Sequence, residues 1–428
     1  MYLLLRRTAA LLLVVALTLI LAARGIVPAW SKVDTDFPNY FTAAKIVADG
    51  ENTDRLYDNG WFQDQMRRYQ IGKPSEGEFK PFPPPTALLL LPLARLQPLE
   101  ALRVLTCVSV LCLICSIVLL AKILSWSLVE STVFVLLSGY AVTGALRLGQ
   151  PYILVSLSCI LGYYARLKSR PLLAGMCFGL FTPIKYLPVV FLAYFAFRKE
   201  WKVLLGGAAA ILMVTAVSVG ILGWKIHEDF LSSVLGNHLI AKLDLQDPFT
   251  VSYQSFDSLF RRLFIYDRTL NPQAPFALPR IQGIAVLITK ASILLAAIGT
   301  LVKLARRDGD GATGPSIGVL GVVTLLLAPA TATYHFVLLW LPVGLLIDYL
   351  VRLGARARAY SILGIYALIG FFPYRYTIPF EGRGGLTVLA YPRLFLLLTM
   401  FVVCVHFIWT RAGAARAALT DDSLVMSD

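Results

Sequence analysis

Charge is scarce in this chain. Only 15% of its 428 residues are charged, against about 25% in an average soluble domain. Histidine is rarer still, with four residues, and cysteine stops at six. With 57% hydrophobic residues and a mean hydropathy of +0.71, this shortage excludes an ordinary soluble domain. Cys107, Cys112, Cys115, Cys159, Cys177 and Cys404 all lie inside apolar runs. Cys112 and Cys115 form a CxxC, but no histidine or second pair stands at zinc-site spacing. They read as small apolar helix residues, and no disulfide scaffold is implied. No repeat of about 20–50 residues is present, and no low-complexity tract beyond Pro83–Pro85. Acid is shorter than base, 25 against 39, for a net charge of +14. The bases mostly flank hydrophobic segments, so orientation and lipid headgroups explain them better than nucleic acid does.

Long apolar blocks dominate instead, too many and too long for signal peptides or core helices. The predicted fold class is an all-α polytopic membrane protein. A span takes about 20 apolar residues. Candidates are 8–25, 99–121, 128–146, 150–165, 171–183, 186–198, 203–222, 281–304, 316–330, 335–351, 360–372 and 394–410, about twelve helices in one membrane domain covering 1–428. Several are short and require tilt, breaks or cover from neighbours.

Basic clusters set the expected orientation. Arg6 and Arg7, Arg166 to Arg170, Arg198 to Lys202, Arg306 and Arg307, Arg352 to Arg358, and Arg411 with Arg416 fall on one side when the segments are threaded in order. That side is expected to be cytoplasmic, with both termini and the tail 411–428. The segment 171–198 then forms a hairpin or re-entrant pair, broken by Pro183 and Pro188 in TPIKYLP. Three long polar stretches, 26–98, 223–280 and 373–393, go to the opposite face, where short helices and the chemistry are expected. PPTALLLLPLARLQ, 84–97, reads as a partly immersed helix.

The first polar stretch carries VDTDFPNYFTAAKIVADG, 33–50. Asp34 and Asp36 share one side of an extended strand but not of a helix, so a metal clamp there needs extended backbone. A helix starting near Phe37, with Pro38 in its first turn and Gly50 as its stop, makes Asp36 a natural N-cap. A general base held rigid by that position is the other reading. GQPYILVSLS places Gln150 and Tyr152 at the start of an apolar helix; the bland reading is only a helix start at Pro151. Lys185 lies in an apolar run, where a cation is costly and functional by default, or else snorkels or pairs internally. Tyr334 and His335 stand at one end of an apolar segment. A lone histidine is more often structural, but this one falls on the same side as the first polar stretch. Arg147, Arg261, Arg262, Arg375, Arg383 and Arg393 run against the positive-inside bias, and arginine suits forked phosphate contacts.

Taken in order, these segments carry a resemblance. DFPNYFTAAKIVADG with LYD (Leu56–Asp58), FPPP (Phe82–Pro85), LPLARL (Leu91–Leu96), GQPYILVSL, AGMCFGLFTPIKYLPVVF (Ala174–Phe191), YQSFDSLFRRLF (Tyr253–Phe264) and APATATYHFVLLWLP (Ala328–Pro342) resemble glycosyltransferase family 87. The chain departs from its usual pattern at Phe82, where Tyr is common, at Ala328 for Ser, and at Gln254 for Asn. The resemblance implies a GT-C-like bundle and a polyprenyl-phosphate-mannose-dependent mannosyltransferase. It puts the catalytic aspartate on Asp36 and a substrate-side histidine on His335, and it draws Lys185 into the same framework. Asp34, Tyr40, Arg147, Gln150, Tyr152, Lys185, Gln254, Tyr334 and Arg375 make up the expected substrate-binding set.

The implied partners are a polyprenyl-phosphate-sugar donor, a glycolipid or cell-envelope glycan acceptor, and membrane lipids, in a bacterial inner membrane with the site facing outward. No cofactor is expected. A monophosphate donor has less need of a divalent ion than a diphosphate, so Asp36 is favoured as base, with Asp34 as bystander or orienter, over a metal clamp. The rival reading is a transporter or flippase, which would explain Lys185 and the broken hairpin but not the polar sequence gathered on one side.

Overall fold

A computed structural model describes residues 2–34, 36–239 and 247–425; for 2–7, 310 and 411–425 only the backbone is described. Residues 240–246 of the expected loop 223–280, and the end of the tail, 426–428, lie outside them. The fold is all-helical, with no strand among the described residues beyond an isolated bridge between Asp267 and Asn271. Among the described residues six helices are long and apolar enough to cross a membrane: Thr8–Ser31, Pro98–Leu124, Trp201–Leu222, Pro279–Asp308, Thr333–Arg352 and Pro392–Thr410. The chain is therefore a multi-pass membrane protein.

The sequence predicts about twelve spans, and several of the shorter predictions take other forms. The 128–146 segment is two helices, Leu128–Leu136 and Tyr140–Arg147, bent by 73°. Gly139 makes the bend at φ +49°, a region closed to most side chains. Segments 150–165, 171–183 and 316–330 become the shorter apolar helices Tyr152–Leu167, Pro171–Leu180 and Thr313–Leu327. The expected 84–97 helix is corrected to two short 3-10 turns, Pro84–Leu88 and Leu91–Leu93, because its prolines deny it continuous backbone hydrogen bonding.

The chain divides into two compact units. The first holds residues 1–253 and 329–341, and with them the predicted catalytic pair. Its first polar stretch is packed rather than loose. The Phe37–Ala48 helix buries both of its sides. Phe37, Tyr40, Phe41 and Ala44 join Ile71, Leu90, Leu102 and Leu105 in one cluster. Ala43 and Ile46 join Phe62, Phe79, Leu222 and Phe230 in another. The period is helical, and the burial anchors the residue before the helix, Asp36, on rigid backbone.

The TPIKYLP break forms where its prolines demand, between the Pro171–Leu180 and Val189–Phe197 helices. The first of these carries GMCFG, two glycines four apart that let helices approach closely. A Cβ on Gly175 would collide with the backbone at Val203 and Gly207, and one on Gly179 with Gly207. Gly175→Val is expected to lower the unfolding midpoint in detergent, since overpacking a close contact costs about 1–3 kcal/mol. A scanning-fluorimetry midpoint equal to wild type would contradict this.

The second unit, 254–328 and 342–428, holds the amphipathic Phe256–Phe264 helix and the remaining long helices. Its buried arginines make contacts within the unit. Arg262 pairs with Glu381 at 2.6 Å. Arg393 donates to the carbonyls of Ile369 and Phe372, at 3.0 and 2.6 Å.

Candidate active site

Asp36 sits where the sequence puts it, immediately before the Phe37–Ala48 helix with Pro38 in the first turn. Its carboxylate, however, makes no capping bond. It accepts instead from Gln150 Nε2 at 2.7 Å, which corrects the capping reading. The partner arrives by a local device. Gly149 adopts φ +63°, and a Cβ there would come within 2.8 Å of the Phe37 ring. Glycine thus lets the Gly149–Gln150 turn press against the start of the helix, and the next side chain reaches Asp36.

Behind Gln150 the polar contacts continue inward. Tyr40 donates its hydroxyl to Gln150 Oε1 at 2.8 Å, and Lys185 Nζ donates to Tyr40 Oη at 3.0 Å. Lys185, Tyr40 and Gln150 are buried; Asp36 is partly exposed. Burial, then the nearby Tyr152 and Asp36, push the Tyr40 phenol well above its usual range, so it remains a neutral O–H donor. The Lys185 ammonium faces the rings of Phe82, Tyr152 and Tyr40, at 4.6, 5.2 and 5.3 Å from their centroids. A cation over ring faces regains part of the stabilisation it loses on leaving water. The lysine is therefore engaged inside the protein without snorkelling, and burial, opposed by the Asp36 charge, lowers its pKa to about 7.

Tyr152 links this cage to the histidine. It stacks on Tyr334 at 5.4 Å, and His335 meets both rings edge-on at 4.6 and 4.9 Å. The backbone N–H of Ala332 donates to His335 Nδ1 at 3.1 Å. That bond leaves the ring proton on Nε2, so His335 presents an N–H donor.

Tyr40, Tyr152, Gln150, Lys185, Tyr334 and His335 thus join Asp36 in one connected set. Other expected residues take different places. Asp34 pairs with Arg147 at 3.3 Å, so the two carboxylates of DTD have separate partners. Among the described residues no group of three or more His, Cys, Asp or Glu is arranged to hold a metal ion. Gln254 lies in the second unit, where its amide donates to Ala390 O at 3.0 Å and accepts from Arg393 N at 3.1 Å. Both of these bonds go to backbone within that unit. Arg375, in the same unit, is exposed and lies over the Tyr376 ring at 5.1 Å.

Two residues were missed. Phe82 stood out only as a departure from pattern, yet it makes the shortest ring contact to Lys185. His238 packs on Tyr186 at 5.6 Å. Its Nδ1 is buried without a hydrogen-bond partner among the described residues. Burial first, and Lys185 second, lower its pKa to about 4. The rarity of histidine was the one signal that could have found it.

The set joins a partly exposed carboxylate, fixed by an N–H donor and backed by a cation, to a neutral histidine donor. Such a set can take a proton and stabilise a departing anion. The model of glycosyltransferase family 87 matches residues 81–329, more than half of the chain. No curated protein and no solved structure matches it.

Proposed function

The chain belongs to glycosyltransferase family 87 and is a membrane glycosyltransferase, and from that premise we propose that it moves a hexose, mannose first, from a polyprenyl monophosphate to a glycolipid or cell-envelope glycan, with Asp36 as general base. The acceptor oxygen attacks the anomeric carbon as its proton passes to the Asp36 carboxylate. The bond from that carbon to the phosphate oxygen breaks on the opposite face. The lipid phosphate leaves with the electron pair, and the configuration inverts. His335 Nε2–H donates to the leaving phosphate, and Tyr152 and Tyr334 offer ring faces to the sugar. The membrane is the bacterial inner one, with the site on its outer side.

The seat of Asp36 carries this reading. The carboxylate is partly exposed, oriented by Gln150 and set at the start of a helix buried on both sides. A base must meet one hydroxyl in one geometry, and such a seat suits it. The transporter reading loses its main support, because the Lys185 ammonium is engaged by Tyr40 and aromatic rings. Asp34, paired with Arg147, is a bystander in the chemistry.

The test is transfer of labelled mannose from polyprenyl-phosphate-mannose to membrane glycolipids by purified protein, with and without EDTA. Transfer at the same rate in both is expected. Loss of transfer in EDTA would return Asp34 and Asp36 to the metal-clamp reading. No transfer from this donor by folded protein would overturn the donor assignment.

A further inference from the structure

We propose that Lys185, Tyr40 and Gln150 form a one-way hydrogen-bond wire that orients the Asp36 carboxylate, so that Lys185 acts on the reaction from three bonds away. The inference rests on the reading of Asp36 as base. It assigns positioning roles to three residues that the sequence offered as substrate ligands.

The direction of the wire is set by its carboxylate end. An ionised carboxylate can only accept, so the direction is imposed from the Asp36 end, and a lysine Nζ–H donates into it at the other. Tyr40 has one hydroxyl proton. Since its oxygen accepts from Lys185, that proton is directed to Gln150 Oε1. The amide oxygen of Gln150 is then turned towards Tyr40, and its NH2 group towards Asp36. Each link therefore has a single direction, and the Gln150 amide has a single orientation. Water has little access to substitute for a lost link, because Tyr40 is 0% exposed and Gln150 2%.

Cutting the wire loosens that arrangement. In Tyr40→Phe the Gln150 oxygen loses its donor. The amide is then held only by its own bond to Asp36, and the carboxylate is positioned less firmly. In Lys185→Met the Tyr40 hydroxyl loses the donor that anchors its oxygen, so it holds Gln150 less firmly and the slack passes to Asp36. The seat of the base is loosened in both variants, while the groups facing the sugar and phosphate stay in place.

The competing role for Lys185 is direct contact with the donor phosphate, and a mutant cycle separates the two. Full-length wild type, Lys185→Met, Tyr40→Phe and the double variant are compared in the mannose-transfer assay. The wire requires each single change to lower kcat by about 10- to 100-fold, the scale of a misplaced catalytic group. Donor KM should stay within about twofold, and the double variant should be no slower than the slower single.

Losses that multiply in the double variant, or a Lys185→Met defect confined to donor KM, would overturn the wire. Tyr40→Phe removes one oxygen and keeps the ring, so an unchanged kcat in that variant alone would overturn it too. Unfolding midpoints of the four proteins supply a readout independent of turnover: the two shifts should overlap in the double variant rather than sum. Failure of wild type to transfer any sugar would sink the functional reading, while the midpoints would still decide whether the wire exists.

Discussion

Asp36→Asn is expected to lower kcat by about 10²- to 10⁴-fold, the usual contribution of a general base, with donor affinity within about twofold of wild type. The substitution is close to isosteric. Gln150 Nε2, which donates to Asp36 Oδ2 at 2.7 Å, can donate equally to the asparagine carbonyl oxygen. The Phe37–Ala48 helix begins without a capping bond from this side chain, so its start does not depend on the charge. The wire behind Gln150 keeps its polarity. The change therefore removes the site that receives the acceptor proton and leaves its surroundings intact. Steady-state kcat and donor binding, measured on the same preparation, check this. A large rise in donor Kd with kcat unchanged would instead make Asp36 a ligand.

The second large effect is expected at His335. His335→Asn should reduce kcat by about 10²- to 10³-fold, the scale for losing one preorganised donor to a developing anion. His335→Gln should lose less. The contrast follows from the two ring nitrogens. Nδ1 accepts from the Ala332 backbone N–H at 3.1 Å, and Nε2 carries the proton. Asparagine can imitate only the nearer nitrogen, as an acceptor for Ala332, whereas the glutamine amide reaches the place of Nε2 and can donate there. If His335 merely held its own turn, Asn would be the better tolerated substitute. The ratio of the two kcat values decides between the roles.

Much of the site's local frame was legible in the sequence. Pro38 and Gly50 bounded the first helix because a missing N–H and a positive φ have fixed places in helix geometry. Pro183 and Pro188 located the break around Lys185 for the same kind of reason. The bend at Gly139 was not legible. It lies within an apolar run that reads as one span, and a glycine there does not announce its φ. The connection from Lys185 to Tyr40 to Gln150 spans 145 and 110 residues of sequence separation, which no local pattern records. The bonds from Gln254 to the backbone of Ala390 and Arg393 join residues far apart in the chain, and no local pattern announces them. The pairing of Arg147 with Asp34 is hidden for a similar reason, since the two come from different parts of the chain.

The most direct test of Asp36 as the base is the single-turnover rate of mannose transfer by wild type and Asp36→Asn, side by side with saturating donor in the same lipid vesicles. Under those conditions binding and product release drop out, and the chemical step alone is read. Transfer slowed by at least about 10²-fold in Asp36→Asn is the expected result. Equal single-turnover rates in the two proteins would contradict the assignment of Asp36 as the group that takes the acceptor proton.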